Sequence, residues 1–386
     1  MMAGERARTV AIAGAGIAGF AAAAAFAHHG WNVTVFERTE EPREFGAGIY
    51  LKENSLPVLD ELGLSERLFQ SGVRLRELLI VDEWQEVVVR REVPSERVLV
   101  LLRAELHRAL RDYAEARGVE LVTNAPVTAA HPDGRLVLEG GSEIKADVVI
   151  GADGFHSRVR DTLGLAQVVM TLGDGATRLV IPRREEPISV EYWSGRRRVG
   201  IAPCSKDLSY VFIIGPESDE RAVRIPVDKD YWIEALPHIA DVFERISDDQ
   251  GVHHAHPFVR CHRWVAGRAV IIGDAAHAQP PNLGQGAGLA IAAAWRLART
   301  LSECTDIEAG LRRWEAKERP IVEGVQRVTT AYDLAGYLWP PVVAPARAAA
   351  FRFLSQWGPT QRRWEWWWRG GCPRPGVAAG IEVTRR

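Results

Sequence analysis

Six residues, Gly14-Ala15-Gly16-Ile17-Ala18-Gly19, constrain this chain more than any others. They follow Thr9-Val10-Ala11-Ile12-Ala13, an apolar run suited to a buried parallel strand. The alanine-rich Phe20 to His28 then reads as a helix with Gly30 as its stop, and Trp31 to Glu37 as a second strand ending on an acid. The result is a βαβ unit with a nucleotide-binding turn. Gly14 permits the tight turn, Gly16 lets a pyrophosphate approach the backbone, Gly19 allows close helix–sheet packing, and Glu37 can accept from ribose hydroxyls. An acid at that offset disfavours a 2′-phosphorylated nucleotide. The uncharged stretch from Val10 to Ala27 could pass for a signal peptide or short membrane span, but its three glycines weaken a spanning helix. The expectation is a cytoplasmic protein with no membrane partner.

Composition narrows the class. The 386 residues carry 48 basic and 50 acidic side chains and are 47% hydrophobic, as in an ordinary globular protein of two to three structural units. A net charge of −2, with no basic stripe interleaved with aromatics, gives nucleic acid no electrostatic footprint. Cys204, Cys261, Cys304 and Cys372 stand singly, the pattern of a reducing compartment without a structural metal.

The first fingerprint alone does not separate FAD from NAD, and two later segments do. Ile144 to Ile150 reads as a strand emptying into Gly151-Ala152-Asp153-Gly154, with Ser157-Arg158-Val159-Arg160 following. Arg268 to Ile272 reads as another strand, ending in Gly273-Asp274, and Pro280-Pro281-Asn282-Leu283-Gly284-Gln285-Gly286-Ala287-Gly288 leads from it into a helix over Leu289 to Leu301. An acid at a strand's C-terminal end can bind a ribityl or ribose hydroxyl. Glycines let a helix N-terminus and bare amides face an electron-rich ring edge.

At these residues the chain resembles the group A flavoprotein monooxygenases, FAD-dependent aromatic hydroxylases with the para-hydroxybenzoate hydroxylase fold. Three motifs in order and spacing carry the resemblance: Gly14 to Gly19, Asp153-Gly154, and Gly273-Asp274 with its Pro and Gly loop. Arg103, opening a helix, matches the family's flavin-contacting arginine. Phe45 to Leu51, the segment around Ala202-Pro203-Cys204, and Gly284 to Gly288 are similar to 2-methyl-3-hydroxypyridine-5-carboxylate oxygenase and its relatives. The family commonly has Asn where Gly288 stands; the departure weakens a flavin side-chain contact.

The resemblance implies an α/β fold: a FAD-binding, Rossmann-like (GR2-type) domain over 1–72, 95–170 and 257–328, and an inserted antiparallel-sheet substrate domain over 73–94 and 171–256. A C-terminal helical segment over 329–386 completes it. FAD, held non-covalently, would be contacted by Gly14, Gly16, Ala18, Gly19, Glu37, Arg38, Arg43, Gly48, Arg103, Asp153, Gly154, Gly273, Asp274, Pro281, Gly284, Gly286, Ala287 and Gly288. NADH or NADPH would reduce the flavin as a transient co-substrate, and O2 would add at flavin C4a. The hydroperoxide's terminal oxygen would attack an electron-rich ring carbon of a small aromatic or N-heteroaromatic acid of the hydroxypyridine, hydroxybenzoate or aminohydroxybenzoate type. The protein orients the ring, excludes water and favours the ionised substrate. A monomer or homodimer is expected.

Between Thr171 and Arg260 short β-rich runs alternate with turns, as in a sheet that presents alternate side chains to a cavity beneath it. By motif-anchored matching to the pyridine-ring oxygenases, Arg198, Tyr210 and His256 are the substrate-contacting candidates. Arg198 would pair with a carboxylate, and His256 could help deprotonate a hydroxyl. Ordinary roles compete: Arg196-Arg197-Arg198 reads equally as a solvated turn, Tyr210 as a half-buried strand aromatic, and His253-His254-Ala255-His256 lacks an acid or cysteine to complete a metal site. His277, after the Gly-Asp turn, reads as structural. Trp364, Trp367 and Trp368 would share one face of a packed C-terminal helix. Other flavin chemistry on the same scaffold, oxidase, reductase or ring-opening oxygenase, is the alternative. A halogenase would need an Ile-Pro that the tryptophan cluster lacks, and a non-catalytic nucleotide binder leaves the second and third motifs unexplained.

Overall fold

A computed structural model describes residues 7–42, 47–93, 98–183, 187–247, 251–338, 342 and 344–357. Thr9–Ala13 and Asn32–Phe36 form parallel strands joined by the helix Ile17–His28. Alanine at 21 to 25 favours helix and leaves no bulk, so this helix is buried on all sides, against Arg103–Ala116 and Gly286–Ser302 as well as the sheet. It ends where Gly30 takes a positive φ of 79°. The sheet continues to Glu120–Val122 on one side and to Val148–Gly151, Ala269–Ile271 and Val265–Ala266 on the other. Only the last pairing is antiparallel.

A seven-stranded sheet forms the second layer, in the order Val252–Cys261, Ala166–Pro182, Leu208–Pro216, Arg197–Pro203, Ile188–Ser194, Glu77–Val81, Val87–Glu92. The sequence pattern suggested an antiparallel sheet, and one pairing departs from it: Glu77–Val81 runs parallel to Ile188–Ser194, because those strands arrive from distant segments rather than across a hairpin. Val73–Arg74 pairs instead with Val98–Leu102.

Alternation gives this sheet two faces. Leu179, Ile181, Val199, Ile201, Val211 and Ile213 point to one side, where Trp232, Val242 and Phe243 from two short helices bury them. Their neighbours Arg178, Gly200, Tyr210 and Phe212 belong to the opposite face, above the nucleotide fold. The expected division at 256/257 falls within the strand Val252–Cys261, and that at 328/329 within one continuous helix, Ile307–Leu338. A further helix, Ala344–Gln356, packs on Val87–Glu92. Trp364, Trp366, Trp367 and Trp368 lie outside the described residues. No helix among the described residues is long and apolar enough to cross a membrane.

Candidate active site

The phosphate-type turn has the backbone that its glycines suggest. Gly14 sits at φ +98°, and a Cβ there would come within 2.5 Å of the Ala152 carbonyl oxygen; one on Gly19 would meet the Gly14 oxygen at 1.9 Å. His107, on the helix Arg103–Ala116, braces the turn with its Nε2 2.7 Å from the Ala15 carbonyl oxygen. Glu37 Oε2 accepts from the Ala15 amide at 2.9 Å, and its Oε1 accepts from the Thr39 amide and hydroxyl, both at 3.0 Å. This ties the acid at the end of the second strand to the turn it serves.

From Gly16, Ile17 and Ala18 one continuous cavity of about 640 Å³ runs past Gly154 and the Gly273–Asp274 turn to the loop over 280–287, then opens beneath the seven-stranded sheet. Gly273 takes a positive φ of +60°, and Ala18 packs against it; a Cβ there would meet the Ala18 Cβ at 2.7 Å. Pro281, Gly284, Gly286, Ala287, Gly48 and Arg103 also line the cavity. At the N-terminus of Gly286–Ser302, Gly286 has nothing within 4 Å of a Cβ, so bare amides and the helix's positive end face open space. Lys52 is buried beside this loop and donates from Nζ to the Leu283 carbonyl at 2.6 Å, burial and the nearby Arg91 holding its ammonium well below the usual lysine range.

Under the sheet the walls differ. On one side Tyr210, Arg178, Arg103 and His254 gather. Burial raises the Tyr210 phenol above its ordinary pKa against the pull of Arg178 and Arg103. Burial, then Arg178, His253 and Arg103, push His254 below the usual histidine value, which keeps its ring neutral near pH 7. Tyr210 owes its place to Gly48, where a Cβ would lie 2.4 Å from the Tyr210 ring; Phe212 likewise lies across Gly200. Tyr50 bridges to Ser189, hydroxyl to hydroxyl, at 2.7 Å. The other side is mostly apolar, with Leu78, Ile80, Val89 and Phe351, and carries Arg91 and Glu191 at its edges.

The family model described as "FAD binding domain" matches residues 7–329. The chain belongs to the FAD-dependent aromatic hydroxylases. It is 34% identical over 334 residues to the 2-heptyl-3-hydroxy-4(1H)-quinolone synthase of Mycobacteroides abscessus, covering 84% of this chain and 88% of that one. It is 32% identical over 342 residues to a 3-amino-4-hydroxybenzoate 2-monooxygenase of Streptomyces platensis, covering 82% and 86%. Among solved structures, 2-methyl-3-hydroxypyridine-5-carboxylic acid oxygenase matches with a TM-score of 0.79 at 30% identity, over 88% of this chain and 98% of that one.

In this hydroxylase the residues expected at the flavin fall into three groups. Gly16, Ala18, Gly48, Arg103, Gly154, Gly273, Asp274, Pro281, Gly284, Gly286 and Ala287 line the cavity, while Gly14, Gly19 and Glu37 shape the turn beneath it. Arg38 is exposed beyond the second strand and is not in the cavity wall, and Arg43 lies outside the described residues. Asp153 does not face the cavity: its carboxylate accepts from Ser157 Oγ at 2.5 Å and from the amides of Arg158 and Val159 at 2.7 and 3.1 Å. Gly288 also lies behind the wall. Asn54 fills the volume there, its Oδ1 2.7 Å from where a Cβ would stand, and donates from Nδ2 to Gln285 Oε1 at 3.0 Å.

Of the three substrate candidates only Tyr210 lines the cavity. Arg198 is 2% exposed and both its terminal nitrogens bond inside the protein: Nη1 to Asn282 Oδ1 at 2.9 Å, and Nη2 to Asp333 Oδ1 at 3.1 Å and Asp174 Oδ2 at 3.4 Å. His256 is fully buried with Nδ1 2.9 Å from the same Asp333 oxygen, and burial lowers its pKa. Burial alone would raise the Asp333 carboxyl, but its hydrogen bonds and the charges beside it hold it below the ordinary value. These two residues are therefore fastened to the helix Ile307–Leu338, whose distance along the chain hid the partnership from the sequence. Arg178, a lone charge in an apolar run, and His254, in the run already singled out, stand at the cavity instead. Phe351 and Lys52 carried no comparable signal.

Proposed function

We propose that this chain is a monooxygenase that uses NAD(P)H and O2 to hydroxylate a small aromatic or N-heteroaromatic ring bearing an ionisable oxygen, amine or carboxylate. The observation that carries the reading is the single cavity joining the nucleotide turn and the bare-amide loop to an aromatic-lined chamber. Its glycines leave the volume that a dinucleotide's phosphates and ring edge require, so the residues present fit FAD. Bound there, FAD would supply the oxygen-activating chemistry once reduced by the nicotinamide. The turn over 14–19 would hold the pyrophosphate, Glu37 the adenosine ribose, and the amides at 286 and 287 the electron-rich edge of the ring.

The chain's own part is to bind, orient and deprotonate. Arg178 and Arg103 attract the anionic side of the ring, and Tyr210 donates to its oxygen. His254, neutral at pH 7, accepts the proton of a ring hydroxyl and so enriches the carbon to be attacked. The sheet above and the 280–287 loop below keep water out. A carboxylate would meet Arg178 here rather than Arg198. A cytoplasmic enzyme, monomeric or homodimeric, completes the proposal.

The test is the purified protein's visible spectrum, followed by NADH and NADPH oxidation with hydroxypyridine, hydroxybenzoate, aminohydroxybenzoate and 4(1H)-quinolone compounds, with products weighed after ¹⁸O2 labelling. A flavin spectrum and one labelled oxygen in a product support the reading. Substrate-stimulated oxidation that yields only hydrogen peroxide throughout the panel rejects it.

A further inference from the structure

The part of the cavity under the strands Glu77–Val81 and Val87–Glu92 is bounded by side chains that the proposed chemistry does not use. Strand pairing sets Ile80 opposite Val89 and beside Glu191, and Leu78 opposite Arg91 and beside Ser189. Leu78, Ile80 and Val89 are each only partly buried although the sheet and the helix Ala344–Gln356 enclose them. Phe351 closes the end from that helix. It packs edge-on against Trp193 and Tyr332, with ring centroids 5.2 and 5.7 Å away. Arg347 and Arg352 pin the helix, donating to the Gly195 carbonyl at 2.6 Å and to Glu86 at 2.9 Å. Glu191, the acid at this end, has Oε1 occupied by the Tyr332 hydroxyl at 2.9 Å and the Trp193 indole at 2.8 Å. Arg91 also lines the cavity, opposite Leu78 and two residues along the strand from Val89, on the side toward Lys52.

We propose that this end is a subsite for an aliphatic substituent on the substrate ring, and that Phe351 sets the length of chain it admits. The inference rests on the hydroxylase reading and adds a substrate class to it. Half-buried apolar side chains around an enclosed volume gain most from an apolar guest. A carboxylate in the same place would exchange water for Ile80, Val89 and Phe351 and lie beside the Glu191 carboxylate.

The FAD-loaded enzyme is titrated with 4(1H)-quinolone and its 2-methyl, 2-pentyl, 2-heptyl and 2-nonyl derivatives, binding being read from the flavin difference spectrum. Affinity should rise by about fourfold per added methylene until the chain reaches Phe351. Phe351→Ala should move that limit to longer chains and Phe351→Trp to shorter ones. Val89→Phe, from the sheet side of the same end, should shorten it, and the unsubstituted ring should bind all variants alike. Affinity that ignores chain length, or variants that weaken the whole series by one factor, overturns the subsite. If the unsubstituted ring is still hydroxylated in that case, the hydroxylase reading stands alone. If the wild type neither binds nor hydroxylates any member, the subsite is overturned, and the hydroxylase reading is decided by the hydroxypyridine, hydroxybenzoate and aminohydroxybenzoate compounds.

Discussion

The Arg198 guanidinium and the Asp333 carboxylate meet at 3.1 Å with side-chain exposures of 2% and 1%, locking the sheet above the cavity to the long C-terminal helix. Asn282 in the cavity wall is held by both, accepting from Arg198 Nη1 and donating to Asp333 Oδ1 at 2.9 Å. The pair thus fixes a flavin-side loop from behind.

Arg198→Ala removes the guanidinium that the buried carboxylates of Asp174 and Asp333 share, a loss of about 3–5 kcal/mol. The denaturation midpoint should fall accordingly. In protein that stays folded, affinity for carboxylates and for neutral phenols should change by the same factor. A selective loss for carboxylates would return the guanidinium to a substrate-binding role.

His277 is buried with neither ring nitrogen hydrogen-bonded among the described residues, and burial pushes it down to about 4. The unfolded chain takes up a proton near pH 6.5 and the folded one does not, so stability present above pH 6.5 is lost as the pH falls toward 4, by about 3 kcal/mol in all. Urea midpoints at pH 7, 5.5 and 4.5 should show this slope. His277→Leu should flatten it, and an unchanged slope would assign the loss to other groups.

Gly288→Ala drives a methyl into Asn54, an overpacking cost of about 1–3 kcal/mol that falls on the first turn of the helix Gly286–Ser302, beside the flavin cavity. FAD retention, measured by fluorescence on dilution, should weaken by about tenfold or more at the middle of that cost. The double variant with Asn54→Ala should recover most of the loss; no recovery would place the strain elsewhere.

His254→Gln should lower kcat by about 10²-fold while leaving FAD affinity unchanged, as for a removed general base. Because the folded enzyme holds this ring below the ordinary histidine value, the midpoint of the wild-type rate's acid decline should lie below that value. The variant should lose that acid limb. A limb retained in the variant belongs to another group.

What the sequence revealed tracks how local each cause is. Gly14, Gly19, Gly273 and Gly284 have backbone reasons that lie within a few residues or one strand away, so spacing alone exposed them. The alternation over Val199 to Phe212 likewise told which residues share a face. Arg198 and His256 differ because each is defined by Asp333, more than seventy positions along, and an arginine spent on a helix reads in sequence like one waiting for a substrate. Asp153 misled in a similar way: an acid at a strand end can serve a ligand or cap the next turn, and Ser157 with two free amides decided for the cap. Gly288 shows the reverse, a missing side chain whose volume is taken up by Asn54 from across the fold.

The sheet over the cavity has one further consequence. Val199, Ile201, Val211 and Ile213 answer to the helices outside, while Tyr210 and Phe212, interleaved with them, answer to the cavity within. Two separate messages are therefore written on alternate letters of the same strands. A lineage or a designer can rewrite the inner one, trading one aromatic guest for another, while the outer one goes on specifying the same architecture.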